Sequence, residues 1–185
     1  LSRIPFVLPF HQRVQLFREQ FAQEPVQRQP PVLHIHRSRL VEDTFEAHRR
    51  LGAQRWARGP LMVRFYDENN HVEEGIDMGG PLKELIELLC QELFSPRWGL
   101  FTASEENLLF PTPSYRAIDD YEALISFAGA CLGKALRLGI LLDVPFAHFF
   151  LALLSGRHQP VLSDLRIVDA DLHRNLLFLK HYEGD

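Results

Sequence analysis

The sequence predicts an α+β fold that is mainly α-helical, with a few short strands and a small β-hairpin, and three observations carry that expectation. First, residues 121–142, YEALISFAGACLGKALRLGILL, wound at about 100° per residue place Glu122, Ser126, Lys134 and Arg137 within an arc of roughly 120°. The remaining circumference is apolar or glycine, which predicts a core helix enclosed on most sides. Gly129 and Gly133, four apart, are expected to admit the backbone of another element. Second, MGGPLKELIELLCQELF carries Leu82, Leu85, Ile86, Leu89 and Leu93 as one apolar stripe, a second buried helix with Pro81 near its first turn. Third, the β-prone runs are short: Val32 to Ile35, Leu61 to Tyr66, and Gly99 to Thr102 with Asn107 to Phe110 across a polar turn.

The remaining elements follow in order. PFVLPF opens extended, because a residue before proline is pushed out of the α region, and His11 to Gln20 then carries Val14, Phe17 and Phe21 at helical spacing. Residues Glu24 to Pro31, EPVQRQPP, form a loop, so that 1–31 comprise an extended arm, a helix and a loop leading into the body. EDTFEAHRRLG reads as a helix ending at Gly52, with Asp43 and Thr44 as its capping residues. In the strand LMVRFY, Met62, Arg64 and Tyr66 point opposite to Leu61, Val63 and Phe65, so one face is partly wet. The acidic loop DENNHVEEGID follows, and Pro111 and Pro113 close the later hairpin. Asp143, two residues before Pro145, favours a helix over PFAHFFLALLSG that stops at Gly156. LSDLRIVD and ADLHRNLLFLK read as two short helices, and there is no internal repeat or low-complexity tract.

At 185 residues and 46% hydrophobic content, the chain suits one domain, or a large piece of one, with a real core. A net charge of −4 without a long run of either sign argues against nucleic acid and anionic membranes as partners. Cys90 and Cys131 sit inside apolar helical patterns, as free buried thiols do in a reducing compartment, so a cytosolic or nuclear protein is expected. The longest apolar stretches are broken by Lys134, Arg137 and Asp143, and LSRIPFVLPF has no cleavage-site pattern. Neither a membrane span nor a signal peptide is expected.

Candidate chemistry fails on spacing. Counted from Asp67, a calcium loop needs Gly at its sixth and Glu at its twelfth position, where the chain has Val72 and Met78. Gly75 and Gly80 have the internal spacing of a phosphate loop, but Pro81 and Leu82 replace its Lys and Ser or Thr, and Glu73, Glu74 and Asp77 would repel phosphates. Those residues are expected to serve turn geometry, with Asp77 holding the loop. His34 and His36 share one face of a strand without a Cys or acidic partner at zinc-ligand spacing, and read as a half-exposed strand face. The apolar settings of Cys90 and Cys131 raise a thiol pKa and hide the sulfur. No catalytic, cofactor-binding or metal-binding residue is assigned in this chain.

EEGIDMGGPLKELI, ENLLFPTP, FAGACLGKAL, LLDVPFAHFFLALLSG and NLLFLKHYEGD, in this order and spacing, resemble successive motifs of the N-terminal lobe of a HECT-type ubiquitin ligase domain. The opening PFVLPFHQRV and the helix EDTFEAHRRLG resemble that family's start, so the similarity covers nearly the whole chain. The resemblance implies a HECT N-lobe-like helical scaffold, its large subdomain, as a single partial domain over 1–185. It further implies that the small subdomain holding the conjugating enzyme, and the C-terminal lobe whose cysteine takes ubiquitin as a thioester, lie downstream of KHYEGD. The implied partners are ubiquitin, a ubiquitin-conjugating enzyme, protein substrates and the chain's own cysteine lobe, mostly through regions outside these residues; no cofactor is implied. Two departures stand out. Where members commonly carry an Arg after the first glycine of the core-helix motif, this chain has Ala130, and where some carry a Tyr of an accessory ubiquitin-binding surface, it has Asn107, so that surface is not carried over. The expected function is the scaffold part of a ubiquitin transferase that passes ubiquitin from a conjugating enzyme through a cysteine thioester to substrate lysines, inactive by itself. The rival reading is a non-catalytic helical protein-interaction module.

Overall fold

A computed structural model describes residues 7–22, 29–73, 80–156, 159–182 and 184. The expected extended opening before residue 7, most of the loop over 24–31, the Phe21 side chain, and Gly75 and Asp77 of the acidic loop lie outside the described residues. The chain forms two compact units, residues 1–91 with 122–142, and residues 92–121 with 143–185.

The first unit opens with α1 (Phe10–Ala22) and is built around two parallel strands, β1 (Val32–His36) and β2 (Met62–Tyr66), paired Val32 with Met62 through His36 with Tyr66. Alternation works as expected: Leu33 and Ile35 of β1, Val63 and Phe65 of β2, and Leu61 just before it are buried, while His34 and Arg64 are exposed. The helices α2 (Leu40–Leu51) and α3 (Ala53–Arg58) form the crossover between them. Asp43 and Thr44 do not cap α2. The Asp43 carboxylate reaches back to the His36 backbone N–H at 3.0 Å, and the buried Thr44 hydroxyl donates to Leu40 O at 2.6 Å inside the helix. The helix stops at Gly52, whose φ of +76° favours a residue without a side chain. The guanidinium of Arg37 lies 4.2 Å from the Phe65 ring centre, forks onto both carboxylate oxygens of Glu73 at 2.7 Å and reaches Glu84 at 2.7 Å. It thereby clamps the end of β1 to the turn after β2 and to α4 (Gly80–Leu93). Leu82, Leu85, Ile86, Leu89, Cys90 and Leu93 of α4 are buried, the stripe that the sequence indicates.

The helix α5 (Tyr121–Leu138) ends four residues earlier than expected. Gly139, at φ +69°, donates to Leu136 O, and Ile140 N–H reaches Ala135 O at 2.9 Å, closing the C-terminus with the paired bonds of a Schellman motif. The expected orientation of α5 is also corrected. Gly129 and Gly133 are exposed, and a Cβ at either would meet nothing within 4 Å. Lys134, expected on the wet arc, is 3% exposed, and its ammonium donates to Trp56 O at 2.9 Å and Gly59 O at 2.7 Å. The reason is visible on the helical wheel: at about 100° per residue Gly133 falls between Glu122 and Ser126, so the glycines belong to the polar arc, whereas Lys134 lies at its edge beside the buried Phe127 and Cys131. The carbonyls at the end of α3 require a cationic donor, and Lys134 and Arg137, the latter on Arg58 O at 3.1 Å, supply it.

In the second unit, β3 (Phe101–Ala103) and β4 (Leu109–Pro111) form the expected antiparallel hairpin, Phe101 opposite Pro111. The helix expected from Pro145 begins only at His148: α6 is His148–Leu154. Residues Pro145 to Ala147 are extended instead, because Leu109 donates to Pro145 O at 2.7 Å and accepts from Ala147 N–H at 2.8 Å. This bridge buries Phe146 among Phe94, Phe101 and Phe150, with ring centres 5.0–5.9 Å apart for the pairs that Phe94, Phe101 and Phe146 make and 5.5 Å for Phe146 with Phe150. The unit ends with α7 (Leu165–Val168) and α8 (Ala170–Lys180), whose N-cap Asp169 accepts from Leu172 N–H.

Gly133→Ala should raise the urea midpoint by about 0.5–1 kcal/mol in free energy, the helix-propensity gain at an open site, whereas Lys134→Met, which leaves two buried carbonyls without their donor, should lower it by about 1–3 kcal/mol. His48 lies edge-on to Trp56 at 5.3 Å and beside Phe127 at 5.2 Å, and among the described residues neither ring nitrogen has a hydrogen-bond partner. Burial lowers its pKa, so the fold holds it neutral while the unfolded chain takes up a proton below about pH 6.5. Its contribution is therefore fully present above that pH and is lost as pH falls, and His48→Phe should flatten the decline in melting temperature between about pH 7 and 5.

Candidate functional site

Residues that bear chemistry gather in three places. In the first, on the exposed face of the β1–β2 pair, Tyr66 lies between the rings of His34 and His36, at 5.7 and 5.2 Å between centres. His34 Nδ1 meets the Tyr66 hydroxyl at 2.7 Å, His36 Nδ1 meets Asp43 Oδ2 at 2.7 Å, and His36 Nε2 meets Asn70 Oδ1 at 3.0 Å. Burial pushes the Asp43 carboxyl up, but the His36 backbone and ring hydrogen bonds, with Arg39, outweigh it and leave the group below the usual carboxylate range. The pair is a half-exposed strand face, as expected, and is in addition tied into a polar network. Alternation placed the two imidazoles on one side, but their partners arrive from α2 and from the turn after β2. Asn70 supplies its contact from a φ of +62°, a conformation that Asn tolerates. No group of three or more His, Cys, Asp or Glu that could hold a metal occurs among the described residues.

Asp67 shows what the acidic loop does with its oxygens. One carboxylate oxygen accepts from Asn69 N–H and His71 N–H, each at 2.8 Å, and Tyr66 bridges to Val72, so Asp67 to Glu73 make a hairpin turn around their own carboxylate. The His71 backbone bond is the main reason that Asp67 titrates below its ordinary range.

The second place is the pair of cysteines. Both are free and buried, Cys90 at 1% and Cys131 at 0% exposure, as their apolar settings indicate. Burial pushes the Cys90 thiol up to about 12, and burial with the neighbouring Cys90 raises Cys131 well above the ordinary thiol range. Neither sulfur can present a thiolate to an incoming thioester.

The third place lies in the second unit. An open cleft of about 520 Å3 runs between the β3–β4 turn, with Ser104, Glu105 and Glu106, and α7–α8, with Arg166, Asp169 and Arg174. Asn107, the departure from the accessory-surface motif, holds the turn at φ +60°. The helix α8 buries none of its residues, and Phe178, Leu179 and Tyr182 are 67%, 65% and 59% exposed. A signal for this was present in the run Leu176 to Leu179, since four consecutive apolar residues cannot share one helix face. At the other departure, the Ala130 backbone carbonyl accepts from Trp56 Nε1 at 3.2 Å. Among the described residues no helix is long and apolar enough to cross a membrane.

Residues 87–185 match a protein-family model described as HECT-domain (ubiquitin-transferase). Over its whole length the chain is 37% identical, across 200 aligned residues, to "Ubiquitin-protein ligase E3B" of Homo sapiens, of which it covers 19%. It is likewise 33% identical over 192 residues to "E3 ubiquitin-protein ligase UPL6" of Arabidopsis thaliana, covering 18% of that protein. Across 80% of the chain it is 35% identical, over 151 residues, to "E3 ubiquitin-protein ligase HECW1" of Homo sapiens, covering 9%. The chain spans less than a fifth of the length of these curated relatives.

The two thiols give a direct check. In the folded chain, Cys90 and Cys131 should remain unmodified by a soluble thiol reagent over a period in which the urea-unfolded chain reacts at both, as read by intact mass. Because the folded Cys90 pKa is raised to about 12 while an unfolded thiol ionises near about 8.5, its contribution to stability is complete below that lower value and is lost as pH rises through the interval. Cys90→Ala should therefore show a shallower alkaline decline in melting temperature than the unaltered chain.

Proposed function

The chain belongs to the HECT-domain family of ubiquitin transferases, and from that premise we propose that residues 1–185 are the large subdomain of the N-terminal lobe of a ubiquitin-protein ligase. In this reading it is the scaffold that positions a ubiquitin-loaded conjugating enzyme, the cysteine lobe of its own chain and a protein substrate, while the thioester forms outside these residues. The observation that carries the reading is the burial of both thiols: a piece of a thioester-forming enzyme whose own cysteines are 1% and 0% exposed must serve the reaction by placement. The polar cleft beside α7–α8 and the exposed apolar residues of α6 and α8 support a role in holding other protein segments. The two buried free thiols support action in a reducing compartment, the cytosol or nucleus.

The test is adduct formation. With activating enzyme, a conjugating enzyme, ATP and ubiquitin, the full-length protein should give a ubiquitin adduct that thiol reductant removes, and Cys90→Ala and Cys131→Ala should each retain it. Loss of the adduct in either variant, with the melting temperature preserved, would place the reacting sulfur in this lobe. A non-catalytic interaction module would give no thiol-sensitive adduct from the full-length protein.

A further inference from the structure

In the β1–β2 pair, Met62 N–H donates to Pro31 O at 3.0 Å. Along a parallel pair, residues that turn their N–H and C=O toward the partner alternate with residues that turn them away. Leu33 and Ile35 therefore face β2, and the main-chain groups of Val32, His34 and His36 face outward. The His36 N–H is already taken, by the Asp43 carboxylate at 3.0 Å. Val32 and His34 are exposed, and among the described residues β2 is the only strand paired with β1. Two residues of this edge thus present main-chain donors and acceptors to an incoming strand.

A recess of about 250 Å3 runs along the same edge, lined by Pro31 and Leu33 on the strand side and by Ala47, Arg50 and Leu51 of α2. Its surroundings are cationic. From Ala47 to Tyr66 the chain has Arg49, Arg50, Arg55, Arg58 and Arg64 and no acidic residue. Arg37 and Arg39, at the closed end of the strand, are neutralised by Glu73, Glu84 and Asp43. Arg50, at the rim of the recess, and Arg64, opposite His34 in the register, are exposed, and among the described residues neither pairs with a carboxylate.

We propose that this edge binds an extended acidic peptide of a partner protein as a third strand. The peptide main chain pairs with Val32 and His34, its β-branched side chains enter the recess between Leu33 and Leu51, and its carboxylates meet Arg50 and Arg64. A sequence alternating the two kinds of side chain fits, because successive side chains of a strand point to opposite faces. A nucleic acid would match the charge but has no peptide N–H and C=O groups for the edge. The site lies wholly within the first unit and does not rest on the ligase reading.

The probe is a fluorescein-labelled octapeptide alternating valine and glutamate, titrated against the full-length protein by fluorescence anisotropy. It should bind saturably, and the same peptide with lysine in place of glutamate should not. Arg50→Glu should weaken binding at least tenfold with the melting temperature unchanged. Two further peptides carry N-methyl groups on the amides of every valine or of every glutamate, with side chains and charge intact. In an added strand one set of amides faces β1 and the other faces solvent, so one methylated peptide should lose binding while the other keeps it. Equal behaviour of these two overturns strand addition, and because the protein is unaltered a folding defect cannot imitate that result. No binding of the octapeptide, or binding indifferent to Arg50→Glu, overturns the site. Tighter binding of a charge-matched oligothymidylate would assign the arginines to nucleic acid, and a dimer that the peptide fails to dissociate and Arg50→Glu does dissociate would assign the edge to a second copy; either result overturns the proposal.

Discussion

The first unit depends on one buried ammonium. The helix α3 is six residues long, too short to hold itself together, and its last carbonyls face inward. Lys134 satisfies two of them, Arg137 a third, and Trp56, at the middle of the same short helix, returns a hydrogen bond from its indole to the Ala130 carbonyl of α5. The aromatic cluster of Trp56, Phe127, Phe45 and His48 lies beside this seam, and the two bonds of the Lys134 ammonium are buried, whereas that of Arg137 is exposed. Since β2 begins three residues after Gly59, anchoring the end of α3 also sets where the second strand enters its parallel pairing.

A different device organises the second unit. The short segment Pro145 to Ala147 lies along Leu109 as a bridge, and that main-chain pairing delivers Phe146 into a cluster of four phenylalanines. The helix α8 keeps apolar side chains at the surface, with a polar cleft beside its first turn. The scaffold role proposed for the chain calls for surfaces open to other protein segments and for no thiolate of its own.

The sequence by itself determined the fold class, the existence of nearly every element and the burial of both cysteines, because periodicity records which side of a helix or strand avoids water. The alternation of LMVRFY, the stripe of α4 and the hairpin before Pro111 are all of this kind. The family was legible in the motifs EEGIDMGGPLKELI, FAGACLGKAL and NLLFLKHYEGD; the family match over residues 87–185 takes in the last two, and the relatives aligned over the whole chain take in all three. What only the tertiary structure decided were the polar partners. A lysine on a helix reads as wet until another helix ends beside it, and Asp43 reads as a cap until a strand presents the His36 N–H. Pro145 reads as a helix start until Leu109 offers its backbone, and His34 and His36 read as a half-exposed strand face whose partners, Tyr66, Asp43 and Asn70, come from three other segments. Hydrophobic pattern is local and survives in one dimension; a hydrogen bond between residues 75 apart, as from Lys134 to Gly59, does not.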